Sequence, residues 1–308
     1  MSPLRELAHA KINLYLHVTG RRDDGYHLLD SLAVFAGAAD ELRLEQGAGR
    51  GGHVGLRIEG TFAPGLQDDC ADNLIVRAGA LLRAHVGQER AHRLPDVDIV
   101  LRKELPVASG IGGGSADAAA ALRLLLKAWG LSISRKDLMA LATRLGADVP
   151  VCLDQMPARM EGIGEELTPA PALPPCGMML VNCGQSVSTP QVFKSRAPGF
   201  TPRAGLPARW DTLADMVRDL SAQTNDLQDA ACAICPEITT VLDALRAAPG
   251  CRLARMSGSG ATCFALFDSP EAAQAAVPAV RQEKWWVWAG DLCRTGARLK
   301  APTDSLPA

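Results

Sequence analysis

The amino-acid sequence predicts a chain of mixed α-helices and β-strands that divides into two domains. Its 308 residues, 47% of them hydrophobic, can form more than one packed core. Residues 8–18 alternate between apolar and polar side chains, which is the period of a β-strand with two different faces. Residues 97–129 run from a short apolar strand through a glycine-rich loop into a long apolar helix. A loop in that position indicates a binding site rather than a flexible linker.

The composition argues against nucleic acid and membranes as binding partners. The formal net charge is −2, so the chain lacks the basic footprint of a nucleic-acid-binding protein. No apolar run reaches the ~18 residues of a membrane span, because Arg123 and Lys127 interrupt the longest candidate. The first ten residues contain no apolar signal core. We therefore expect a cytoplasmic protein with a small-molecule partner, no nucleic acid and no membrane.

The nine cysteines are dispersed along the chain, and only Cys232 and Cys235 form a C-x-x-C pair. A zinc or redox site would require a second pair or a thioredoxin-like context. The surrounding segment, DLQDAACAICPEI, has a helical pattern. We expect these thiols to pack on one buried helix face, and we expect no disulfide framework.

The first predicted strand, residues 8–18, carries Lys11 and Asn13 two positions apart on its polar face. We expect a half-buried strand, and taken alone its polar face would be solvated. Residues 24–25, Asp-Gly, mark a tight turn. The rings of Tyr26–His27 follow at once, and they suit either local packing or a site that stacks on a flat ligand.

The next elements lead to the glycine-rich loop. Residues 40–59 predict two short strands around a glycine-rich turn at 47–52. Asp72 is placed to cap a helix that runs to about His85. Residues 97–101, an apolar run with polar flanks, predict the strand before the loop.

The loop has glycines at positions 110, 112, 113 and 114, and Ser115 then opens a helix that Gly130 ends. Glycines let the backbone approach a ligand closely, and the free N–H groups at a helix start favour an anion, typically phosphate. A P-loop would require Lys after the glycines. A G-x-G-x-x-G motif would require Gly where Ser115 or Asp117 stands. The loop therefore predicts a phosphate site of neither common type.

The second half of the chain combines helices with short strands. The predicted segments are helices at 134–145, 211–221, 226–248 and 271–280, strands at 178–181 and 285–289, a Pro-rich connector at 169–175, a glycine turn at 256–262 and a disordered tail at 301–308. Asp148 stands two residues before Pro150, and on its own it is best explained as a helix N-cap.

The glycine loop resembles the phosphate loop of the GHMP kinases, in which Pro and small residues precede G-[LI]-G-[GS]-[GS]-S and an Ala-rich helix. Here Pro106, residues 110–115 and residues 118–121 match that pattern. Further blocks are similar to one branch of the family, which acts on a cytidine-diphosphate-linked methylerythritol. These blocks are 10–16 (AKINLYL), 20–27 (GRRDDGYH), 146–150 (GADVP), 160–167 (MEGIGEEL), 188–193 (STPQVF) and 256–262 (MSGSGAT). Two positions depart from the pattern, since Ala116 replaces a Ser and Gln228 replaces a Glu.

The resemblance implies an α+β fold with two domains and a site in the cleft between them. Residues 1–155 would form an ATP-binding domain similar to ribosomal protein S5 domain 2. Residues 156–300 would form a ferredoxin-like domain on the substrate side, and 301–308 would be the tail. The glycine turn at 256–262 would lie beside the phosphate loop.

The resemblance also implies transfer of a phosphoryl group from ATP, with Mg²⁺, to a hydroxyl of the substrate. Asp148 would be the catalytic base and Lys11 its charge partner, which would keep that carboxylate ionised. Ser115 would contribute to holding Mg²⁺, all the more because Ala116 lacks a hydroxyl. The implied ATP contacts are Asn73, Lys103, Pro106, Val107, Ala108, Ser109, Gly110, Ile111, Gly112, Gly113, Gly114, Ser115 and Ala116. The implied substrate contacts are Asn13, Tyr26, His27, Thr189 and Phe193.

Several alternatives stay open on the sequence. Tyr26 and Phe193 would stack on the cytosine from opposite sides, but Phe193 also suits a core position. Another GHMP kinase, acting on homoserine or mevalonate, would not need the block at 20–27. A catalytically silent nucleotide-binding protein of the same fold would be expected to lack Lys11 or Asp148, and both are present. A monomer and a homodimer are equally compatible with the sequence.

Overall fold

The computed structural model describes residues 4–64, 66 and 72–293. Its strands are β1 (Arg5–Arg21), β2 (His27–Arg50), β3 (Val54–Glu59), β4 (Pro95–Arg102), β5 (Ala158–Gly162), β6 (Glu166–Pro169), β7 (Gly177–Asn182), β8 (Leu253–Met256), β9 (Cys263–Phe267) and β10 (Trp286–Asp291). Its helices are α1 (Leu74–Val86), α2 (Gln88–Ala91), α3 (Gly113–Ala128), α4 (Arg135–Leu145), α5 (Val149–Cys152), α6 (Thr189–Ser195), α7 (Leu213–Ser221), α8 (Gln228–Ile234), α9 (Glu237–Ala247) and α10 (Pro270–Val280).

The first sheet has the strand order β3-β4-β2-β5-β6, and β1 also pairs with β2. Strand β2 is the longest element, at 24 residues, because it pairs with β1, β4 and β5 along different parts of its length. The prediction of two short strands in 40–59 is therefore wrong for the first of them, which is the end of this long strand. The sheet also takes in β5 and β6, which lie beyond residue 155, where the sequence analysis divides the chain.

Helix α3 forms the centre of the first core. Every residue from Ala116 to Leu126 is buried, so the helix is covered all round rather than along the one stripe that its spacing suggests. It packs against β1, β2, α1, α4 and α5. Two charged residues, Asp117 and Arg123, are buried with it. Both have ion-pair partners.

The second sheet is antiparallel, in the order β10-β7-β9-β8. Alternate residues of β7 and β9 point to its two faces, as the two-residue period of a strand requires. Met179 and Phe267 pack with α8, α9 and α10. Met178 and Leu266 pack against β1 and β2 of the first sheet. The core between the two sheets thus joins both halves of the molecule.

The polar face of β1 is buried as well as its apolar face. Lys11, Asn13 and His17 are 4%, 2% and 3% exposed. Lys11 contacts Asp148 and Asn13 contacts Ser31, whereas His17 Nδ1 lies 2.9 Å from the Pro202 carbonyl oxygen. Residues from both halves of the chain therefore cover this face. The expectation of a half-buried strand is therefore wrong, because it treated β1 as an isolated element.

Other local predictions are corrected in detail. The helix expected over 226–248 is two helices, α8 and α9, with a break at Cys235–Pro236, where Pro cannot continue the preceding helix. Helix α1 is capped by Asn73 instead of Asp72, because the Asn73 side chain accepts from the Ile75 N–H. The predicted tail at 301–308 lies outside the described residues.

Three general features concern the described ranges alone. None of their helices is long and apolar enough to cross a membrane. Their cysteines form no disulfide bond. They contain no group of three His, Cys, Asp or Glu side chains that could hold a metal ion.

Candidate active site

The glycine loop connects β4 to α3, and the helix begins at Gly113, two residues before the predicted start. Gly110 and Gly112 have φ angles of +75° and +64°, in the left-handed region that residues with a Cβ disfavour. A Cβ on Gly110 would lie 2.5 Å from the Ser257 carbonyl oxygen. Glycine is thus required at position 110 by backbone conformation and by the close approach of another segment.

The second glycine turn, residues 256–262, lies directly against this loop, as predicted. The Ser257 hydroxyl donates to the Gly110 carbonyl at 3.1 Å. The Ser257 hydroxyl oxygen also accepts a hydrogen bond from the Asn13 N–H, at 3.1 Å. One buried hydroxyl therefore joins the loop, the glycine turn and strand β1.

The start of α3 opens onto a large cleft. The N–H groups of Gly113, Gly114 and Ser115 come first in the helix, and N–H groups there have no acceptor within the helix itself. They face a cavity of about 1440 Å³ lined by residues from both halves of the chain. The positive end of the helix dipole points the same way. This geometry suits an anion, and the phosphate contacts of the loop residues stay predictions.

Lys11 and Asp148, separated by 137 positions, meet beside the helix start. The Lys11 Nζ donates to Asp148 Oδ2 at 3.0 Å and to Asn13 Oδ1 at 3.0 Å. The Lys11 side chain is 5% exposed, whereas the Asp148 side chain is 37% exposed and lines the cleft. A Cβ on Gly112 would lie 3.2 Å from Lys11 Cε. The structure therefore places an accessible carboxylate, held by a buried cation, next to the phosphate loop.

Asp148 does occupy the N-cap position of α5, but its side chain forms no capping hydrogen bond. The carboxylate is turned to Lys11 instead. The N-cap interpretation of the sequence is therefore right about position and wrong about what the side chain does.

Asn13 is held in one orientation by its neighbours. Its Nδ2 donates to Ser31 Oγ at 2.7 Å, and that hydroxyl donates to the Tyr15 carbonyl at 2.6 Å. The Asn13 Oδ1 is thereby directed at Lys11 Nζ. Strand β1 thus presents a fixed ammonium and a fixed amide to the cleft.

Lys103 lines the cleft beneath the loop and is only 4% exposed. Its Nζ donates to Asp40 Oδ2 at 2.6 Å and to Asp117 Oδ2 at 2.7 Å. Asp40 Oδ1 accepts from the backbone N–H groups of Glu104 and Leu105, where the loop begins. Lys103 thus ties β2, the loop and α3 together, and its ammonium is committed to two carboxylates.

The Asp117 carboxyl is incompletely satisfied. Its Oδ1 is buried and has no hydrogen-bond partner among the described residues. Burial, the largest effect, raises the pKa of Asp117 from 3.8 to about 7, although Lys103 acts in the opposite direction. Burial lowers the pKa of Lys103, but its two carboxylate partners outweigh that effect and raise it. The lysine therefore stays charged while Asp117 is poised between its two states.

Three aromatic side chains, Tyr26, His27 and Phe193, also line the cleft. The rings of His27 and Phe193 stack with centroids 4.9 Å apart and planes 22° apart. The Tyr26 ring is 61% exposed. Burial, followed by the charges of Arg196 and Arg21, lowers the pKa of His27, which favours the neutral imidazole. Phe193 is half-buried, and its ring contacts His27. Its stacking on the cytosine opposite Tyr26 stays a prediction.

Two predicted binding residues line the cleft with their side chains already engaged. The Thr189 and Ser259 hydroxyls lie 2.6 Å apart and share a hydrogen bond. Asn73 Oδ1 accepts from the Ile75 N–H at 3.0 Å. Both side chains therefore serve local structure, and their predicted ligand contacts remain predictions.

The remaining loop residues divide into two sets. Residues 106–109 line the cleft, and the Ser109 hydroxyl donates to the Pro106 carbonyl at 2.6 Å, which holds the loop in its turn. Ile111 and Ala116 are buried in the core, so only their backbone groups are available to a ligand.

Sequence reasoning missed Asp40, Asp117 and Ser257. Asp117 carried a signal, because a carboxylate inside an apolar Ala-rich helix requires a buried partner. Ser257 lies in the glycine turn that the resemblance placed beside the loop, but nothing in the sequence singled out its hydroxyl. Asp40 carried no signal, because only the pairing of distant strands brings it to the loop.

Comparison with known proteins places this geometry in a family. The family model described as GHMP kinases N terminal domain matches residues 73–158, and the GHMP kinases C terminal model matches residues 205–285. A 4-diphosphocytidyl-2-C-methyl-D-erythritol kinase of Gluconacetobacter diazotrophicus is 67% identical over 291 residues, covering 94% of this chain and 95% of that protein. A protein of the same name from Granulibacter bethesdensis is 54% identical, covering 96% and 97%.

Solved structures agree with these relatives. A crystal structure of 4-(cytidine 5'-diphospho)-2C-methyl-D-erythritol kinase has a TM-score of 0.74 and 34% identity, covering 94% of this chain and 99% of that one. A homoserine kinase from Cytophaga hutchinsonii, at 18% identity and a TM-score of 0.66, shares the fold alone. The predicted two-domain α+β fold is thereby confirmed. The chain belongs to the GHMP kinases, and within them to the family of 4-diphosphocytidyl-2-C-methyl-D-erythritol kinases.

Proposed function

We propose that this protein transfers the γ-phosphoryl group of ATP to the 2-hydroxyl of 4-diphosphocytidyl-2-C-methyl-D-erythritol. The product is the 2-phosphate, an intermediate of the non-mevalonate route to isoprenoid precursors. The observation that carries this proposal is the Lys11–Asp148 pair, 3.0 Å long, beside the start of α3. Phosphoryl transfer needs positioning and charge stabilisation more than covalent chemistry, and this cleft offers both.

Asp148 is the general base in this proposal. Its exposed oxygen accepts the proton of the 2-hydroxyl while that hydroxyl oxygen attacks the γ-phosphorus. The bond from the γ-phosphorus to the β–γ bridging oxygen breaks, and ADP leaves with the electron pair. Lys11 holds the carboxylate in position through their 3.0 Å contact and stabilises negative charge on the transferring oxygens. Asn13 directs the substrate hydroxyl from the same strand.

The loop and the start of α3 hold the ATP phosphates. The N–H groups of 113–115 supply donors that need no reorganisation when charge develops. Magnesium fits this site because Mg²⁺ commonly binds through substrate phosphates and few protein ligands, and the half-exposed Ser115 hydroxyl stands at the helix start. The ion would neutralise charge on the phosphates. Lys103, already paired with Asp40 and Asp117, supports the adenine side of the loop from below.

The aromatic side chains that line the cleft recognise the cytidine. A flat base stacks well on aromatic rings, and Tyr26, His27 and Phe193 present three of them. Thr189 adds a hydroxyl on the same side. Every group named in this proposal comes from one chain, so a monomer and a homodimer both provide a complete site. We propose that the reaction takes place in the cytoplasm, where ATP is available.

The test measures ADP release by the purified protein with ATP and Mg²⁺, with and without the cytidine substrate. We expect substrate-dependent turnover that falls about 10²–10⁴-fold in Asp148→Asn, while ATP binding, followed by calorimetry, stays unchanged. Turnover that survives in the variant would keep the kinase and remove Asp148 as the base. Turnover with homoserine or mevalonate, and none with the cytidine compound, would overturn the proposed substrate.

A further inference from the structure

We propose that Arg123 is a positioning residue for this reaction, because it fixes the short helix α5 that carries Asp148. The proposal rests on the proposed function, in which Asp148 is the base. Arg123 stands in the middle of α3 and does not touch the cleft. Its side chain is 1% exposed, yet it is the group that joins the elements on both sides of the Lys11–Asp148 pair.

The guanidinium reaches two elements at once. Its Nη1 donates to the carbonyls of Cys152 and Leu153, at 2.9 and 3.2 Å. Its Nη2 donates to the Leu7 carbonyl at 2.8 Å, and its Nε donates to Glu6 Oε2 at 2.8 Å. The first two bonds hold the end of α5, and the other two hold the start of β1.

Helix α5 depends on this clamp. It has four residues, and a helix of one turn has little stability of its own. Its N-cap side chain, Asp148, forms no capping bond, because the carboxylate is turned to Lys11. The Arg123 bonds to its C-terminal carbonyls are therefore the polar contacts that fix its position from α3. One helical turn, about 5.4 Å, separates this clamp from the base.

The Arg123 side chain positions the two elements that carry Lys11 and Asp148. Strand β1 carries Lys11 five residues after Glu6, and α5 carries Asp148 at its start. Helix α3 itself begins at the phosphate loop. Arg123 thus fixes the base, its cation and the phosphate site relative to one another. A misplacement of about 1 Å in such an arrangement can cost ~100-fold in rate.

Stability alone does not account for a charged residue at this position. A buried ion pair replaced by apolar side chains of similar volume often leaves a protein equally stable. The planar guanidinium fixes the relative positions of α5 and β1, because its N–H donors point in fixed directions. They reach two carbonyls at the end of α5 and, on the other side, the Glu6 carboxylate and the Leu7 carbonyl. Lysine keeps the charge but cannot reproduce that fork.

The test compares the steady-state kinetics of Arg123→Lys, Asp148→Asn and the double variant with those of the wild type, using ATP, Mg²⁺ and the cytidine substrate. For Arg123→Lys we expect kcat to fall about 10- to 100-fold, with KM for both substrates within about twofold. If Arg123 acts through Asp148, the double variant should be no slower than Asp148→Asn alone. Fully multiplied effects would overturn the proposal, because they would mean that Arg123 acts independently of the base.

Two further variants control for folding. Lys127→Gln removes another partner of Glu6 from the same helix without touching α5, and we expect it to keep the wild-type kcat. The pair change Glu6→Gln with Arg123→Gln removes both buried charges together, so it should fold even if Arg123→Lys does not, and it should show the same fall in kcat. A wild-type kcat in either Arg123 variant, with Asp148→Asn inactive, would overturn the Arg123 proposal alone. A wild-type rate in Asp148→Asn would overturn the base assignment and this proposal with it.

Discussion

The Lys103 ammonium and the Asp117 carboxylate form a buried ion pair, 2.7 Å long, directly beneath the start of helix α3. Asp40 completes the cluster at 2.6 Å from the same nitrogen. A Cβ on Gly113 would lie 3.2 Å from Lys103 Nζ, so the cluster touches the backbone that faces the phosphates. The buried cluster of Lys103, Asp40 and Asp117 thus supports the loop proposed to bind phosphate. Its effect on stability can be measured separately from catalysis.

Lys103→Met should destabilise the protein severely. The change leaves Asp40 and Asp117 buried without a cation, which typically costs about 3–5 kcal/mol. Urea unfolding followed by circular dichroism measures the loss. Lys127→Met is the matched control, because the Lys127 side chain is 49% exposed and its loss leaves Glu6 paired with Arg123. Ion pairs of exposed lysines contribute about 0–1 kcal/mol. Equal losses in the two variants would contradict a structural role for the cluster.

The raised pKa of Asp117 predicts how stability depends on pH. The folded protein binds this proton up to about pH 7, whereas the unfolded chain releases it near the ordinary value of 3.8. Asp117 therefore makes the free energy of unfolding fall as pH rises from about 4 to about 7. Asp117→Asn removes that contribution. Urea unfolding at pH 5 and pH 8 should show a smaller loss in the variant than in the wild type, and parallel losses would contradict the raised pKa.

Gly110→Ala should weaken both the fold and ATP binding. A Cβ at position 110 would lie 2.5 Å from a backbone oxygen and 2.6 Å from the Gly260 nitrogen, so either the loop or the facing turn must shift. Gly130→Ala is the control for the cost of a positive φ alone. Gly130 has φ +57°, but a Cβ added there would have no atom within 4 Å. The control should lose about 1–2 kcal/mol and keep its KM for ATP. Gly110→Ala should lose more stability and raise that KM, and an unchanged KM would show that the loop tolerates the shift.

The sequence predicts those parts of the site that are local in the chain. The glycine loop and the helix after it follow from spacing and residue type, since glycine conformation and helix periodicity are short-range properties. The pairing of Lys11 with Asp148 came from resemblance, because no local pattern joins residues 137 positions apart. The burial of the polar face of β1 was missed for the same reason, since its side chains contact residues as distant as Asp148 and Pro202.

The stacked rings of His27 and Phe193 predict where the cytidine is recognised. Loss of one stacking ring costs about 1–3 kcal/mol per base, so Phe193→Ala should raise KM for the cytidine substrate roughly 5- to 150-fold. The KM for ATP should not change, because in the proposed function this ring contacts the cytidine and the glycine loop holds the ATP phosphates. Phe200→Ala is the matched control, since that ring is 55% exposed and lies over Arg196. Steady-state kinetics with each substrate varied in turn gives both constants. An unchanged KM for the cytidine compound in Phe193→Ala would mean that Phe193 supports His27 or the local core rather than the base.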